Sequence, residues 1–475
     1  MVSAEQVRGG HAPRRARVLA MTVLSLLSVF AAGAGTAVAK LTPERRLVPQ
    51  PPTVAEREPL RPVAAVAAAD PAAARVPDAS ALAGRLSALA GDPAAKINAV
   101  VIDAVTRRPL FQQRADRPAT PASTTKLATS VAALAALGPG HRITTRVVRG
   151  AGNGVVLVGG GDPTLTALPP RPEGEHRGLP GAASLTELAR RTAAALKAAG
   201  TTRVRVDYDD SAYTGPRTAP GWKPNYLPDG EVAPVSALTV DEGRTAPDDP
   251  TVKTRVADPP AAAVATFARL LTREGVRARP GRRAPHREDA ARLAQVQSPP
   301  LSALVERLMS ASDNDIAEAV ARQVAIGKGA PASFTGAAAA VRAALDGLGV
   351  GEGVSVSDGS GLSTRNRITP LALARIAALA AAPERPGLRA AVTGMPVAGF
   401  SGTLATRYLT SDSQAAAGMV HAKTGTLNGV STLAGIARDA EGRLLAFAFM
   451  MGDGKGHADP AVLDRLATAM ATCGC

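Results

Sequence analysis

The sequence predicts a multi-domain α+β protein, because strand-like segments stand at both ends of the folded region with helices between them. Two short strands joined by a turn are predicted over 97–103 and 110–113. Two more are predicted over 423–438 and 443–451, before a closing helix at 460–471. This order indicates one sheet in which the first and last strands come together. The helical patterns between them lie at 123–137, 301–310, 315–326, 336–348 and 369–382.

Residues 143–298 differ in character from the segments on either side. Within them, short strand-like runs alternate with helical runs and turn-rich stretches, which is typical of an α/β domain. We therefore expect a main domain over 80–142 and 299–475, interrupted by an inserted domain over 143–298. The predicted strands of the insertion are 143–148, 155–158 and 203–208, and its predicted helices are 185–199 and 261–274.

The first 39 residues have the pattern of an export signal. Basic residues precede an apolar run at 18–34, and Ala37-Val38-Ala39 fits a signal-peptidase site. Cleavage after Ala39 is favoured, although 18–39 is also just long enough for an uncleaved membrane anchor. Residues 40–79 are rich in Pro and Ala and are predicted to form a linker. In either case we expect the folded part to act outside the cytoplasm, in the cell envelope or as a secreted protein.

The chain is strongly basic, with 55 Lys and Arg against 40 Asp and Glu. A basic exported protein could associate with anionic wall polymers or with the membrane surface. A merely solvated, arginine-rich surface explains the charge equally well. Nucleic acid is a poor partner, because aromatic residues make up only 3% and the densest basic stretch, 277–287, is interpreted as a loop broken by Pro and Gly.

The two cysteines, Cys473 and Cys475, are too few for a disulfide framework or a multi-cysteine zinc site. The six histidines contain no H-E-x-x-H pattern, so no metal and no cofactor is expected. The cysteines could form a small ring with each other, stay free, or pair with another molecule. No role is assigned to them.

Ser123 and Lys126 open the first well-patterned helix of the folded region. Residues three apart share a helix face, so the hydroxyl and the amine can lie within hydrogen-bond reach. A serine becomes a nucleophile when a base takes its proton, and a lysine can be that base once burial makes its amine neutral. Arginine cannot be deprotonated in this way. The S-x-x-K pattern is weak alone, but among nine lysines only Lys126 has a serine three positions earlier.

Ser312 and Asn314 belong to an S-x-N triplet between two predicted helices. A turn at this place can aim a hydroxyl and an amide into one cleft. Taken alone, the triplet fits a helix N-cap better, because Ser and Asn are good caps and a helical pattern follows at once. Both interpretations stay open at this point.

Lys423, Thr424, Gly425 and Thr426 begin a strand-like segment late in the chain. A lysine and hydroxyls on a strand can hold a substrate carboxylate, and a glycine lets a peptide approach the backbone closely. An extended peptide could then add to the sheet as an extra strand. The alternative is an ordinary strand start after a turn.

The three motifs, in this order and on these elements, resemble those of the active-site serine penicillin-recognising enzymes. More narrowly, the chain is similar to the D-alanyl-D-alanine carboxypeptidase/endopeptidase family of class C, low-molecular-mass penicillin-binding proteins. The long interval between the first two motifs also fits, because this family inserts extra domains there. The matching strings are P-A-S-T-T-K (121–126), G-G-D-P-T-L (160–165), A-P-V-S-A-L (233–238), S-D-G-S-G-L-S (357–363) and M-P-V-A-G-F-S-G-T-L (395–404).

The resemblance implies a penicillin-binding-protein/β-lactamase-like transpeptidase fold, with helices on both sides of an antiparallel sheet, a helical subdomain and a large α/β insertion. It implies that Ser123 attacks the D-Ala-D-Ala bond of peptidoglycan stem peptides, with Lys126 as general base. Ser312 and Lys423 would relay a proton to the leaving amine, and the backbone N–H groups of Ser123 and Thr426 would form the oxyanion hole. β-Lactams would acylate Ser123 as slowly released mimics. The residues that would bind the substrate are Asn314, Lys423, Thr424, Gly425 and Thr426.

Two other functions remain as alternatives. A β-lactamase or esterase could use the same scaffold, but it needs a water that hydrolyses the acyl-enzyme efficiently, and no motif in the sequence indicates residues that would activate one. A catalytically idle wall-binding protein could use the inserted domain and the basic surface, although the intact Ser123, Lys126 and Lys423 argue against idleness. In one departure from the family, Thr364 follows the S-D-G-S-G-L-S string where arginine is frequent, and Arg365 comes one place later. This shift weakens the expectation that the site recognises a diamino-acid side chain.

Overall fold

The computed structural model describes residues 73–90, 96–168, 179–249, 251–452, 454 and 456–475. All of them belong to one compact unit, residues 69–475. The predicted leader or anchor, 1–39, and most of the predicted linker, 40–79, lie outside the described residues. Within the described ranges, no helix is both long enough and apolar enough to span a bilayer.

The described residues fold into a five-stranded main sheet, a second five-stranded sheet, a two-stranded ribbon and the helices around them. The strands are β1 Asn98–Asp103, β2 Pro109–Gln113, β3 Thr144–Arg149, β4 Gly154–Val158, β5 Arg203–Asp209, β6 Arg277–Arg283, β7 Arg292–Gln297, β8 Val354–Ser355, β9 Arg367–Ile368, β10 Val420–Leu427, β11 Val430–Arg438 and β12 Leu444–Gly452. The helices are α1 Ala79–Ala90, α2 Thr125–Leu137, α3 Leu185–Ala198, α4 Pro259–Arg273, α5 Leu301–Ser310, α6 Asn314–Gly327, α7 Phe334–Gly347, α8 Pro370–Ala381, α9 Ala390–Thr393 and α10 Pro460–Ala471.

The main sheet has the strand order β10-β11-β12-β1-β2 and is antiparallel throughout. β1 lies between β2 and β12, with Val100 opposite Ala448. The first and last strands of the folded region therefore meet, as the sequence predicts. Every residue of β1 is buried, because helices cover both faces of the sheet.

Side chains along β1 alternate between two apolar layers. Ala99 and Val101 pack in the layer that α1 and α10 complete. Val100 and Ile102 pack in the other layer, with α2 and α8. The helices α5, α6 and α7 extend this second layer into a helical subdomain around α2. The expected α+β fold, with helices on both sides of an antiparallel sheet, is confirmed.

The second sheet has the order β6-β5-β4-β3-β7, with β4, β5 and β6 parallel and β3 antiparallel to both of its neighbours. The helices α3 and α4 pack on one face of this sheet, where Leu157, Val206 and Phe267 are fully buried. All five strands lie within the range 143–298. The limits proposed there for an inserted domain stay a prediction.

The predicted strand 423–438 is wrong as a single element. The structure forms a hairpin there, in which β10 and β11 are joined by a turn at Asn428-Gly429. Gly429 has a φ of +69°, which glycine adopts without steric cost. Asn-Gly between two strand-like runs is a strong hairpin signal, and here Gly429 alone of the two central residues takes the positive φ.

The interpretation of 277–287 as a loop is also wrong in part, because 277–283 forms β6 at the edge of the second sheet. An edge strand tolerates Pro280, whose missing N–H can face outward. Gly281 is required by a close approach, since a Cβ there would collide with the carboxylate of Asp207 on β5. Breaker residues therefore mark an irregular edge here and do not end the strand.

The two cysteines are bonded to each other, which selects one of the three alternatives left open by the sequence. Cys473 is fully buried in the layer beneath α1 and α10. The carbonyl of Cys475 accepts a hydrogen bond of 2.7 Å from the N–H of Asp78. The C-terminus is thus joined to the start of α1.

Candidate active site

Ser123 lies in a single 3-10 turn, Ala122–Thr124, that leads into α2. Ala122 has a φ of +49°, in the left-handed region that residues other than glycine rarely adopt. The sequence predicts the helix from Ser123, whereas α2 begins at Thr125. Ser123 therefore precedes the helix on a strained turn, with a half-buried side chain.

Lys126 is fully buried on the first turn of α2. Its Nζ lies 3.1 Å from Ser123 Oγ, 2.6 Å from Asn314 Oδ1 and 2.7 Å from the carbonyl oxygen of Ser360. Burial lowers the pKa of the amine to about 8, although nearby carboxylates, Asp358 foremost, act in the opposite direction. The structure thus brings the predicted Ser–Lys pair into contact and makes the lysine easier to deprotonate.

The surroundings of Lys126 determine where its lone pair can point. A neutral amine has two N–H bonds and one lone pair. A carbonyl oxygen and an amide oxygen can only accept hydrogen bonds, so Ser360 O and Asn314 Oδ1 engage the two N–H bonds. The lone pair is then left to face Ser123 Oγ, which is the arrangement that a general base needs.

Ser312 and Asn314 flank the true N-cap of α6. The cap is the middle residue, Asp313, whose carboxylate accepts from the N–H of Ile316 at 2.9 Å. Asn314 is free to bind Lys126 through Oδ1, and its Nδ2 donates to the carbonyl of Glu231 at 2.8 Å. Ser312 is half-buried and has a φ of +59°. The triplet therefore caps a helix through Asp313 and contacts Lys126 through Asn314, whereas a role of the Ser312 hydroxyl stays a prediction.

Lys423 lies on β10 and is fully buried. Its Nζ donates to the carbonyl of Thr424 at 2.8 Å. Burial and the positive charge of Lys126 hold the pKa of this amine well below its usual value. The hydroxyl of Thr424 lies 2.7 Å from that of Thr403, whereas Thr426 is exposed.

Gly425 packs directly against the turn that carries Ser123. A Cβ at this position would lie 2.8 Å from the carbonyl oxygen of Pro121 and 3.0 Å from the nitrogen of Ser123, and it would collide with the hydroxyl of Thr432. That hydroxyl donates to the same Pro121 carbonyl at 2.8 Å. The glycine is therefore needed for contact between β10 and the serine turn, a reason that differs from the substrate approach expected from the sequence.

The loop 357–363 also belongs to the site, although sequence analysis gave its residues no role. Its Ser360 supplies the carbonyl that holds Lys126. The carboxylate of Asp358 organises the loop by accepting from Trp222 Nε1, from the N–H groups of Gly361 and Ser363, and from Asn366 Nδ2. A backbone carbonyl can come from any residue type, so residue identity does not reveal this acceptor. Only the Ser- and Gly-rich composition of the string, with its one Asp, pointed to a turn-forming loop here.

A cavity of about 520 Å³ opens beside this arrangement. Ser312, Asn314 and Glu231 line it, together with the charged residues Arg255 and Asp241. Ser123 and Lys423 are not among its lining residues. Within the described ranges, no group of three or more His, Cys, Asp or Glu residues could hold a metal ion.

Comparison with known proteins identifies the family. The model of the D-Ala-D-Ala carboxypeptidase 3 (S13) family matches residues 82–249 and 246–472. A carboxypeptidase of Mycobacterium tuberculosis is 38% identical, covering 90% of this chain and 89% of that protein. The carboxypeptidase DacB of Mycolicibacterium smegmatis is 39% identical, covering 96% of both chains.

Among solved structures, penicillin-binding protein 4 of Haemophilus influenzae shares the fold, with a TM-score of 0.66 and 21% identity. The match covers 82% of this chain and 98% of that one. The same protein complexed with a β-lactam matches over the same shares at 21% identity, with a TM-score of 0.61. From the family match and the two mycobacterial relatives, this chain belongs to the D-Ala-D-Ala carboxypeptidase 3 (S13) family and is a D-Ala-D-Ala carboxypeptidase, a hydrolase.

Proposed function

We propose that the chain hydrolyses peptidoglycan stem peptides through an acyl-enzyme on Ser123, with Lys126 as the general base. The observation that carries this proposal is the set of contacts at Lys126 Nζ, which directs its lone pair at Ser123 Oγ. A pKa of about 8 supports the role, because a fraction of the amine is neutral near pH 7.

In the acylation step, Ser123 Oγ bonds to the carbonyl carbon of the D-Ala–D-Xaa peptide bond while Lys126 takes the hydroxyl proton. The resulting oxyanion would be stabilised by the backbone N–H groups of Ser123 and Thr426, a type of donor worth about 3–4 kcal/mol. Collapse of this intermediate breaks the C–N bond. Ser312 and Lys423 would pass a proton to the leaving amine, and water would then hydrolyse the ester and release the shortened stem peptide.

Substrate binding is assigned to Asn314 and to the start of β10. Asn314 would hold the amide of the substrate. The terminal carboxylate would be bound by Lys423, Thr424 and Thr426, where Gly425 keeps the strand close to the serine turn. A bound carboxylate would favour the charged form of Lys423 and so oppose the lowering of its pKa by burial and by Lys126.

The same site would accept β-lactams as covalent inhibitors that acylate Ser123. The β-lactam complex of the Haemophilus influenzae relative supports this expectation. Substrates at the end of a stem peptide and at a cross-link share the D-Ala–D-Xaa bond, so both carboxypeptidase and endopeptidase action are consistent with it.

We propose that the protein acts outside the cytoplasm, exported by residues 1–39, either with the leader cleaved or with 18–39 as an anchor. The substrate class supports this location, because peptidoglycan lies outside the cell membrane. The excess of 55 basic over 40 acidic side chains supports association with anionic wall polymers or the membrane surface.

Labelling with a fluorescent penicillin tests the nucleophile. Wild type is expected to give a covalent band that Ser123→Ala abolishes, whereas the control Ser302→Ala, on α5, leaves it intact. A band that persists in Ser123→Ala, or no band in folded wild type, would overturn the acyl-enzyme proposal. Rapid turnover of a chromogenic β-lactam would favour the β-lactamase alternative.

A further inference from the structure

A buried carboxylate, that of Glu318, holds the loop whose carbonyl accepts a hydrogen bond from Lys126. Glu318 lies one helical turn after Asn314 on α6 and is only 1% exposed. Its carboxylate accepts from the N–H of Ser360 at 2.8 Å and from the N–H of Gly359 at 3.1 Å. The mechanism proposed above gives this group no task, although burying a carboxylate is costly.

The residue that Glu318 holds is the same one that contacts the base. The carbonyl of Ser360 accepts from Lys126 Nζ at 2.7 Å. Asp358 fixes the far side of the same loop through the N–H groups of Gly361 and Ser363. A single helix, α6, therefore supplies both supports of the amine: Asn314 directly, and Glu318 through Ser360.

We propose that Glu318 is a positioning residue for acylation, which holds the Ser360 carbonyl where it orients the Lys126 amine toward Ser123. The inference rests on the proposed roles of Ser123 and Lys126. Glu318 itself does not contact the reacting atoms. Without it, the loop would lose two charge-assisted hydrogen bonds, and the amine would lose a fixed acceptor.

Glu318 also acts on Lys126 through its charge. Its negative charge raises the pKa of the lysine, as do those of Asp358, Asp313 and Asp315. Burial in turn raises the pKa of Glu318 to about 7, with Asp358 acting in the same direction and Arg322 in the opposite one. The charged groups around the pair are Asp313, Asp315, Asp358, Arg322 and Lys423.

Substituting Glu318 by glutamine separates position from charge. The amide keeps an acceptor for the loop but removes one negative charge, so the pKa of Lys126 should fall. Since acylation needs the neutral amine, the acidic limb of its pH profile should move to lower pH. A residue with a merely structural role would lower the rate without moving this limb.

The test measures the rate of acylation by a fluorescent penicillin from pH 5 to 9, using the full chain. We expect Glu318→Gln to stay within about tenfold of wild type on the plateau and to shift the acidic limb downward. We expect Glu318→Ala to lose on the order of a hundredfold, because a displaced amine loses its alignment. The control Asp162→Asn removes a buried carboxyl whose hydrogen bonds go to Thr164. It should neither lower the acylation rate nor move the acidic limb.

Circular dichroism and thermal unfolding of each variant establish that it is folded before its rates are compared. A folded Glu318→Ala that acylates at the wild-type rate would overturn the inference. So would a Glu318→Gln profile whose acidic limb stays in place or moves upward. Failure of the acyl-enzyme mechanism itself can be distinguished from failure of this inference, because Ser123→Ala would then still be labelled by the fluorescent penicillin.

Discussion

Replacing Gly425 by alanine tests whether contact between β10 and the serine turn matters for chemistry. The added Cβ would lie 2.8 Å from Pro121 O and 3.0 Å from Ser123 N, whereas ordinary contact begins at 3.4 Å. The turn or the strand must therefore shift by at least about 0.6 Å, because the Thr432 hydroxyl on the adjacent strand lies closer still to the added Cβ.

A shift of this size should affect rate more than stability. Misplacing a reacting group by 1 Å can cost on the order of a hundredfold, so we expect Gly425→Ala to slow penicillin acylation by about ten- to a hundredfold. Overpacking a tight site typically costs about 1–3 kcal/mol of unfolding free energy, which a protein of this size survives. The enzyme should therefore remain folded and lose activity.

The assay is the second-order rate of acylation by a fluorescent penicillin, measured beside urea unfolding. Gly347→Ala is the matched control, because a Cβ at that position on α7 meets nothing within 4 Å. It should leave the rate unchanged and leave stability equal or slightly higher. A Gly425→Ala enzyme that acylates like wild type would refute the tight-contact argument.

Three further outcomes are expected. Lys126→Arg keeps the positive charge, but the arginine side chain cannot be deprotonated, so the rate of acylation should fall by about 10²–10⁴-fold in the penicillin-labelling assay. A near-normal rate would exclude Lys126 as the base. The wild-type acylation rate should rise with pH as Lys126 loses its proton, with a midpoint near its pKa of about 8, and a rate that falls from pH 7 to 9 would contradict this sign. Asp103→Ala should destabilise the fold by about 3–5 kcal/mol in urea unfolding, because it removes the partner of Arg443 in a buried ion pair of 2.6 Å. A loss below about 1 kcal/mol would show that the pair contributes little.

The part of the site that could be predicted from the sequence is side-chain chemistry at local spacing. Lys126 stood out because lysine is scarce in an arginine-rich chain, and its distance from Ser123 follows from helix geometry alone. The meeting of the first and last strands followed from the order of elements. The Asn428-Gly429 turn is equally local, but the strand-like residues on both sides of it predict one continuous strand.

The rest depended on contacts that residue types do not encode. The acceptor at Ser360 is a backbone carbonyl, so any residue at that position could supply it. Glu318 resembles an ordinary polar residue on a helix until the loop that it binds is placed beside it. Gly425 is required because β10 packs against the serine turn, which lies some 300 residues earlier in the chain. No local sequence pattern reveals a contact between such distant segments.

The position of β1 in the main sheet has a consequence for how the protein matures. Asn98 near the N-terminus of the folded region pairs with Met450 near the C-terminus, so the sheet closes only when nearly the whole chain is present. Lys423 lies on β10, in the β10–β11 hairpin that comes directly before β12 in the chain. A nascent or truncated chain that lacks β12 would expose an open apolar edge at β1, a template for aggregation, and it would not bind penicillin. Penicillin labelling therefore reports completed synthesis and folding as well as an intact nucleophile.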